Sequence, residues 1–295
     1  MKRNLAVIGS TSMVGSQFCE ESQKEANLIK GDLPQVDITS KDLVENFFKN
    51  DFDTVILFSA FTDVNAAERQ RKNKTEPCWQ VNVQGTKNVA DACRRFNRKL
   101  ISISTDFVFD GASGPYSETD STGPDMDKVS WYGITKIEAE KALMATVSNY
   151  IILRIAYPYS GRDTGKDDLV LRILKLYQQG NLYPMYVDQT ITPTYIPDIA
   201  PALLLLLKKN FSGIIHLASP QPVSQYEFAR VLIEKAKARG PHLLSQKSVD
   251  DDLKKEGATP RPKNSTLKVD KIKSFGFTPT DWHQGIDNSV NLWLK

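Results

Sequence analysis

Cysteine is scarce in this chain: three among 295 residues, Cys19, Cys78 and Cys93, odd in number and widely spaced. That pattern argues against a disulfide-stapled scaffold and a cysteine-built metal site, and it suits a reducing cytoplasm. Long apolar runs are missing as well. The most apolar stretch, the five leucines from Leu203 to Leu207, ends at once in Lys208-Lys209, which reads as a core helix and not a membrane span. The apolar run from Leu5 to Ile8 is too short for the central segment of a signal peptide. Charge of one sign is not in excess, since 38 basic residues stand against 35 acidic ones for a net charge of +3. The basic residues are scattered, so neither nucleic acid nor a membrane surface is indicated as a partner. No internal repeat or low-complexity segment is present. What remains is an ordinary globular composition, 40% hydrophobic and 25% charged, long enough for one large domain or two lobes sharing a core.

The most informative stretch runs from residue 101 to residue 136. The alternating run Leu100-Ile101-Ser102-Ile103-Ser104 has the pattern of a buried parallel strand and ends in a hydroxyl and a carboxylate, Thr105-Asp106. Ligand chemistry in open parallel sheets sits at that end of the strands. Further on, Tyr132 and Lys136 stand at i and i+4 in a segment, 131–144, whose Ala, Leu and Glu content favours helix, so both leave one face. A free tyrosine has a pKa of about 10, and a lysine one turn away is expected to stabilise the phenolate and lower it. Tyr132 would then serve as general acid or base, with the Thr105 hydroxyl holding a carbonyl oxygen beside it. Tyr-x-x-x-Lys alone occurs in many helices and gains meaning only with a cofactor loop.

Such a loop opens the chain. Residues 4–8 read as a short buried strand, followed by Gly9-Ser10-Thr11-Ser12-Met13-Val14-Gly15 and a helix to about residue 25. Gly9 would permit a tight turn, the amides at the helix start would face a pyrophosphate, and Gly15 would let the helix pack close to the strand. Ser12 stands where the middle glycine of such a loop is usual. Strands are then expected at 28–30, 37–39, 53–60, 150–155 and 213–217. Helices are expected at 40–48, 76–96, 169–179, 198–208 and 224–238, with a tail of loops rich in Pro and Lys. This β-α alternation argues an α/β fold, a Rossmann-type doubly wound parallel sheet with helices on both faces.

The chain resembles an extended short-chain dehydrogenase/reductase of the dTDP-4-dehydrorhamnose reductase group, to which the regulatory β subunit of methionine adenosyltransferase is related. The likeness rests on the residue 9–15 loop, on Ala60-Phe61-Thr62 with Val64 and Ala67-Glu68, and on Val81-Asn82-Val83 with Gly85-Thr86. It continues in Ser104-Thr105-Asp106-Phe107-Val108-Phe109-Asp110-Gly111, Tyr132-Gly133 with Thr135-Lys136, Asp188-Gln189, Pro193-Thr194, Asp198 with Ala200, and Arg261-Pro262-Lys263-Asn264-Ser265. Related sugar-nucleotide dehydratases carry Glu after Thr-Asp, because loss of water needs a second acid/base; Phe107 here disfavours dehydration.

The resemblance implies reduction of the C4 ketone of a nucleotide-linked 4-keto-6-deoxy sugar by a nicotinamide cofactor. Thr105 would orient the keto oxygen, Tyr132 would donate the proton, and Lys136 would hold the nicotinamide ribose. Cofactor contacts are implied at Gly9, Ser12, Met13, Val14, Gly15, Asp37, Ile38, Ser59, Ala60, Phe61 and Asn82, besides Tyr132 and Lys136. Substrate contacts are implied at Val64, Asp106, Phe107, Tyr157, Gln189 and Arg261. Asp106 reads equally as a loop cap, Tyr157 as core, Asn82 as a buried side chain satisfying backbone groups, and Arg261 as a solvated tail residue. At the 2′ position Lys30 would favour a phosphate and Asp32 would oppose it; NADPH is the expected cofactor and NADH the alternative. Ser12, Asn65 and Ile191 depart from the family pattern. The expected organisation is a cofactor lobe of residues 1–156 and about 187–218, with a smaller lobe of about 157–186 and 219–295 for the substrate. Two further readings stay open: a cofactor-binding regulatory subunit with a partner enzyme, and a nucleotide-sugar epimerase. The chain is expected in the cytoplasm, with a homodimer among its expected states.

Overall fold

The computed structural model describes residues 2–241 and 243–294. Its centre is a six-stranded parallel sheet built from β1 (Arg3–Ile8), β2 (Ala26–Gly31), β3 (Thr54–Leu57), β4 (Lys99–Thr105), β5 (Tyr150–Ile155) and β6 (Gly213–His216). The strand order is β2-β1-β3-β4-β5-β6. The strands are rich in Val, Ile and Leu because both of their faces are covered, as parallel sheets require. In β1, Leu5 and Val7 enter one core and Ala6 and Ile8 the other, the period of two expected of a strand. The first core is closed by α1 (Met13–Ser22) and α6 (Ile199–Lys208), the leucine-rich helix. The second is closed by α2 (Lys41–Phe47), α3 (Thr86–Arg95) and the far end of α4 (Trp131–Thr146).

A third apolar cluster holds the smaller part of the molecule together. It is made by α5 (Leu169–Gln178), α7 (Gln225–Lys235) and α8 (Trp282–Trp293), around Ile173, Phe228 and Ile286. Two short ribbons connect it to the sheet: Thr190–Ile191 antiparallel to Val223–Ser224, and Met185–Tyr186 parallel to Gln246–Lys247. Ile191, one of the departures from the family pattern, is fully buried in this cluster as a core side chain.

Two sequence expectations need correction. Residues 37–39 form a turn and not a strand, because the Asp37 carboxylate takes the Thr39 amide at 2.8 Å and the Thr39 hydroxyl at 2.7 Å. The tail contains α8 where loop is expected; Asp281 caps it by accepting the His283 amide. No described helix is long and apolar enough to cross a membrane.

The register places the chemistry. β3 pairs with β4 only as far as Leu57 opposite Ser102, whereas β4 runs on beside β5 to Thr105 opposite Ile155. Thr105 is thereby carried beyond the edge of β3. β1 has β2 on one side and β3 on the other, so the chain reverses its direction of winding there, and a crevice opens at the strand ends.

Candidate active site

That crevice is a cleft of about 1600 Å³ reaching from Gly9 across Thr105 to Arg261. At the β1 end, Gly9 has φ +85°, and a Cβ on it would lie 2.7 Å from the Ser59 amide nitrogen. A Cβ on Gly15 would lie 2.2 Å from the Gly9 carbonyl oxygen, so the first turn of α1 packs directly on the loop. Ser12 is extended (φ −68°, ψ 162°), a conformation open to any residue, so no glycine is required there. Its Oγ accepts the Gly15 amide at 3.1 Å and donates to the Gly9 carbonyl at 2.7 Å, which makes it the N-cap of α1. The amides of Met13 and Val14 follow, and both residues line the cleft. Helix geometry leaves these first amides without an intrahelical partner, so they suit an anion.

At the tip of β2, Asp32 lines the cleft while Lys30 is exposed outside its lining. The Asp32 carboxylate is already held by the Thr11 amide at 3.2 Å, the Thr11 hydroxyl at 2.9 Å and the Ser10 hydroxyl. Asp37, Ile38, Ser59 and Ala60 complete this half of the wall.

The other half holds the reactive groups. Thr105, Asp106, Phe107, Tyr132 and Lys136 line the cleft together at the end of β4 and the start of α4. Ser130 caps α4 through the Gly133 amide at 3.2 Å, fixing the turn from which Tyr132 projects. Thr105 Oγ1 accepts the Phe107 amide at 3.2 Å and donates to Asp106 Oδ1 at 3.1 Å, while Ser265 Oγ donates to Asp106 Oδ2 at 2.5 Å. The cap of this short turn is therefore Thr105, and Asp106 is the acceptor that orients it. Burial pushes the Asp106 carboxyl up to about 7, the two hydroxyls working in the opposite direction. Phe107 packs edge-on against Tyr132 at 6.0 Å and against Tyr157 at 6.1 Å. Tyr157 takes a left-handed backbone conformation, φ +43°, rare for an aromatic residue and typical of positions the site constrains.

The expected lowering of the Tyr132 pKa by Lys136 is not what the structure holds. Burial raises the phenol well above its ordinary value, and a hydrogen bond with Thr105 offsets only part of this. Lys136 is itself pushed down to about 8 by burial, opposed by Glu140, and its Nζ donates to the Ile103 carbonyl at 2.8 Å. In a dry site both charged forms are disfavoured. The phenol stays protonated, the form a proton donor needs.

Four of the expected contact residues stand behind the wall and not on it: Gly15, Phe61, Asn82 and Gln189 are outside the cleft lining. Asn82 lies in a π-helical turn, Gln80–Gly85, that joins Pro77–Trp79 to α3. Its side chain takes the Phe61 amide at 2.8 Å and donates to the Phe61 carbonyl and to Thr135 Oγ1, both at 3.0 Å. Asn82 thus ties the loop after β3 to α4. Gln189 is fully buried; it donates to the Pro262 carbonyl at 2.8 Å and accepts from Gln225 Nε2 at 2.5 Å. Gln225, which sequence reasoning missed, is the residue that reaches the cleft at this point, 3.3 Å from the Tyr157 hydroxyl. Its signal in the chain is the preceding Ser224, which caps α7 by accepting the Glu227 amide. On the opposite wall, Val64 and Asn65 line the cleft, and Arg261 Nη2 reaches across to Asn65 Oδ1 at 2.9 Å. An amide in place of a carboxylate leaves that guanidinium charge uncompensated by Asn65.

A glycine-edged loop, a capped helix start and a Tyr-Lys helix sharing one cleft with a strand-end threonine define a Rossmann-fold protein of the short-chain dehydrogenase/reductase type. More narrowly, the chain belongs to the RmlD substrate binding domain family, whose model matches residues 3–294. A dTDP-4-dehydrorhamnose reductase of Mycolicibacterium smegmatis is 30% identical over 295 residues, covering 98% of this chain and 86% of that protein. The protein of the same name from Aggregatibacter actinomycetemcomitans is 31% identical, covering 87% of each chain. Among solved structures, a dTDP-4-dehydrorhamnose reductase of Bacillus anthracis in complex with NADP superposes with a TM-score of 0.86 at 24% identity, covering 99% of both chains.

Proposed function

We propose that the protein reduces the C4 ketone of a nucleotide-linked 4-keto-6-deoxy sugar, with NADPH as the hydride donor and NADH as the alternative. The observation that carries this reading is the convergence of Thr105, Tyr132 and Lys136 on the lining of the same cleft as the Gly9–Val14 turn. The turn fits a dinucleotide: backbone closeness at Gly9 and Gly15 leaves no room for a Cβ, and the Met13 and Val14 amides suit its pyrophosphate. When bound, the nicotinamide supplies the hydride. Tyr132 donates the proton from its phenol to the ketone oxygen. Thr105, placed by the Phe107 amide, turns its hydroxyl hydrogen from Asp106 Oδ1 to the same oxygen. Lys136, anchored on the Ile103 carbonyl, offers its ammonium to the ribose. Phe107 and Tyr157 cover the site with apolar surface and exclude water, and Phe107 supplies no second acid for dehydration.

This reading places the dinucleotide on a lobe of residues 1–156 and about 187–218, and the sugar against residues 157–186 and 219–295. Val64, Tyr157, Gln225 and Arg261 would face the sugar nucleotide, in a cytoplasmic reaction. The test is loss of absorbance at 340 nm with NADPH, then NADH, and enzymatically generated dTDP-4-keto-6-deoxy-L-mannose. Tight cofactor binding without oxidation would overturn the reductase in favour of a regulatory role.

Asp32 gives a separate prediction. A carboxylate near the ribose repels a 2′-phosphate and accepts from a 2′-hydroxyl. Asp32→Ala is expected to move the ratio of kcat/KM for NADPH over NADH upward by about tenfold, the effect of one like-charge contact in a partly solvated site. An unchanged ratio would mean that the 2′ position lies away from the tip of β2.

A further inference from the structure

Thr105 has one hydroxyl hydrogen and two claims on it. In the structure Oγ1 donates to Asp106 Oδ1 at 3.1 Å and accepts the Phe107 amide at 3.2 Å. Ketone reduction needs the same hydrogen at the substrate oxygen, and its departure takes a donor from Asp106 Oδ1 in a residue that is only 1% exposed. A buried carboxylate oxygen left without a donor is costly. A hydroxyl oxygen, however, has two acceptor lone pairs, and the Phe107 amide fills only one of them. The other can take a hydrogen from Asp106 itself, provided that the carboxyl carries a proton.

The surroundings of Asp106 favour the neutral acid. Ser265, a fully buried residue of the tail, donates its Oγ hydrogen to Oδ2 at 2.5 Å, which leaves Oδ1, the oxygen beside Thr105, for the proton. The groups around the carboxyl come from four elements: Thr105 at the end of β4, Tyr132 and Lys136 on α4, Tyr157 after β5, and Ser265. None of them supplies a countercharge. Burial holds both phenols protonated, Lys136 Nζ is bonded to the Ile103 carbonyl, and Arg261, which faces Tyr157, is bonded to Asn65. Burial accordingly pushes Asp106 up to about 7 against the two hydroxyls that favour its anion. Charge development in the reaction favours the same form. As hydride arrives the ketone oxygen becomes anionic, and a carboxylate separated from it only by the Thr105 hydroxyl would repel it in a dry site. A neutral acid does not.

We propose that Asp106 is a positioning residue that works as a neutral carboxylic acid: it donates from Oδ1 to Thr105 Oγ1 and thereby frees the Thr105 hydrogen for the ketone oxygen. The purpose of the arrangement rests on the reductase reading, whereas the protonation of Asp106 does not. The proton stays on Asp106 throughout, and Tyr132 remains the donor to the product. The competent form exists below the Asp106 midpoint and is lost as pH rises through it. Above that midpoint kcat should therefore fall, by about 10²-fold at the limit, the cost of one donor to a developing oxyanion.

The first test is titration of the Asp106 carboxyl carbon in protein carrying 13C-labelled aspartate. Its resonance is assigned by its loss in Asp106→Asn or, should that variant not fold, by its displacement in Ser265→Ala. A midpoint of about 7 is expected, against about 3.9 for a free aspartate, and Ser265→Ala, which removes one donor to the anion, should raise it by about one pH unit. A midpoint in the ordinary carboxylate range overturns the proposal. The second test is kcat at saturating NADPH, from about pH 6 to about pH 9, in wild type and in Asp106→Asn. The amide has the donor and the acceptor of the neutral acid and cannot ionise. Lys136 titrates in both proteins, so it cancels in the ratio of wild type to variant, which should fall by about 10²-fold over that range. A ratio independent of pH overturns the proposal equally. Absence of ketone reduction in wild type, with the raised Asp106 midpoint present, would instead reject the reductase reading and leave the neutral acid standing.

Discussion

Tyr132→Phe is expected to lower kcat for ketone reduction by about 10³-fold, with dinucleotide affinity within a few-fold of wild type. The ring packs edge-on against Phe107 at 6.0 Å, and a phenylalanine keeps that contact. What is lost is one hydroxyl and the proton it delivers. The stability change should stay within about 1 kcal/mol. No neighbouring group can substitute. Burial holds the Tyr132 phenol protonated, whereas Lys136 is turned toward the Ile103 carbonyl. Asp106, although pushed up to about 7, is enclosed by the Thr105 and Ser265 hydroxyls. Single-turnover decay at 340 nm and a fluorescence titration separate the two quantities. Turnover retained within tenfold would reject Tyr132 as the proton donor.

Much of this site could be read from the chain because its parts are local. The loop after β1 and the Tyr132-Lys136 pair each lie within seven residues, where periodicity and turn chemistry decide geometry. Thr105 was legible because an alternating strand ends there, and the register with β5 carries it past β3. The sequence is least informative where distant segments meet. Phe61, Asn82 and Gln189 stand outside the cleft lining, each bonded to a partner far away in sequence, as when Asn82 bonds Phe61 and Thr135. The sign of the Tyr132 shift also depended on burial, which spacing along a helix cannot reveal. Gln225 escaped because its place in the cleft is set by the ribbon between Ile191 and Val223. Ser12 departs from the usual glycine and is a helix cap in extended conformation, which only the backbone angles show.

Gly133→Ala, beside Tyr132 in the first turn of α4, is expected to lower kcat by about 10²-fold and stability by about 1–3 kcal/mol. In most helices the change from Gly to Ala is favourable by about 1 kcal/mol, through the loss of backbone freedom in the unfolded chain. Here a Cβ would lie 2.2 Å from the Phe107 carbonyl oxygen and 2.7 Å from Val129 Cγ1. A carbonyl cannot turn aside as a side chain does, and this one belongs to the turn that Thr105 caps. Relief requires the start of α4 to move away from the end of β4 by about an ångström, enough to degrade the alignment of reacting groups. Because Tyr132 and Thr105 ride on the two elements that separate, the proton donor and the hydroxyl beside it come apart together. The measurement pairs thermal unfolding with kcat. A variant as stable and as active as wild type would show that α4 can slide along β4 without carrying Tyr132 away from Thr105.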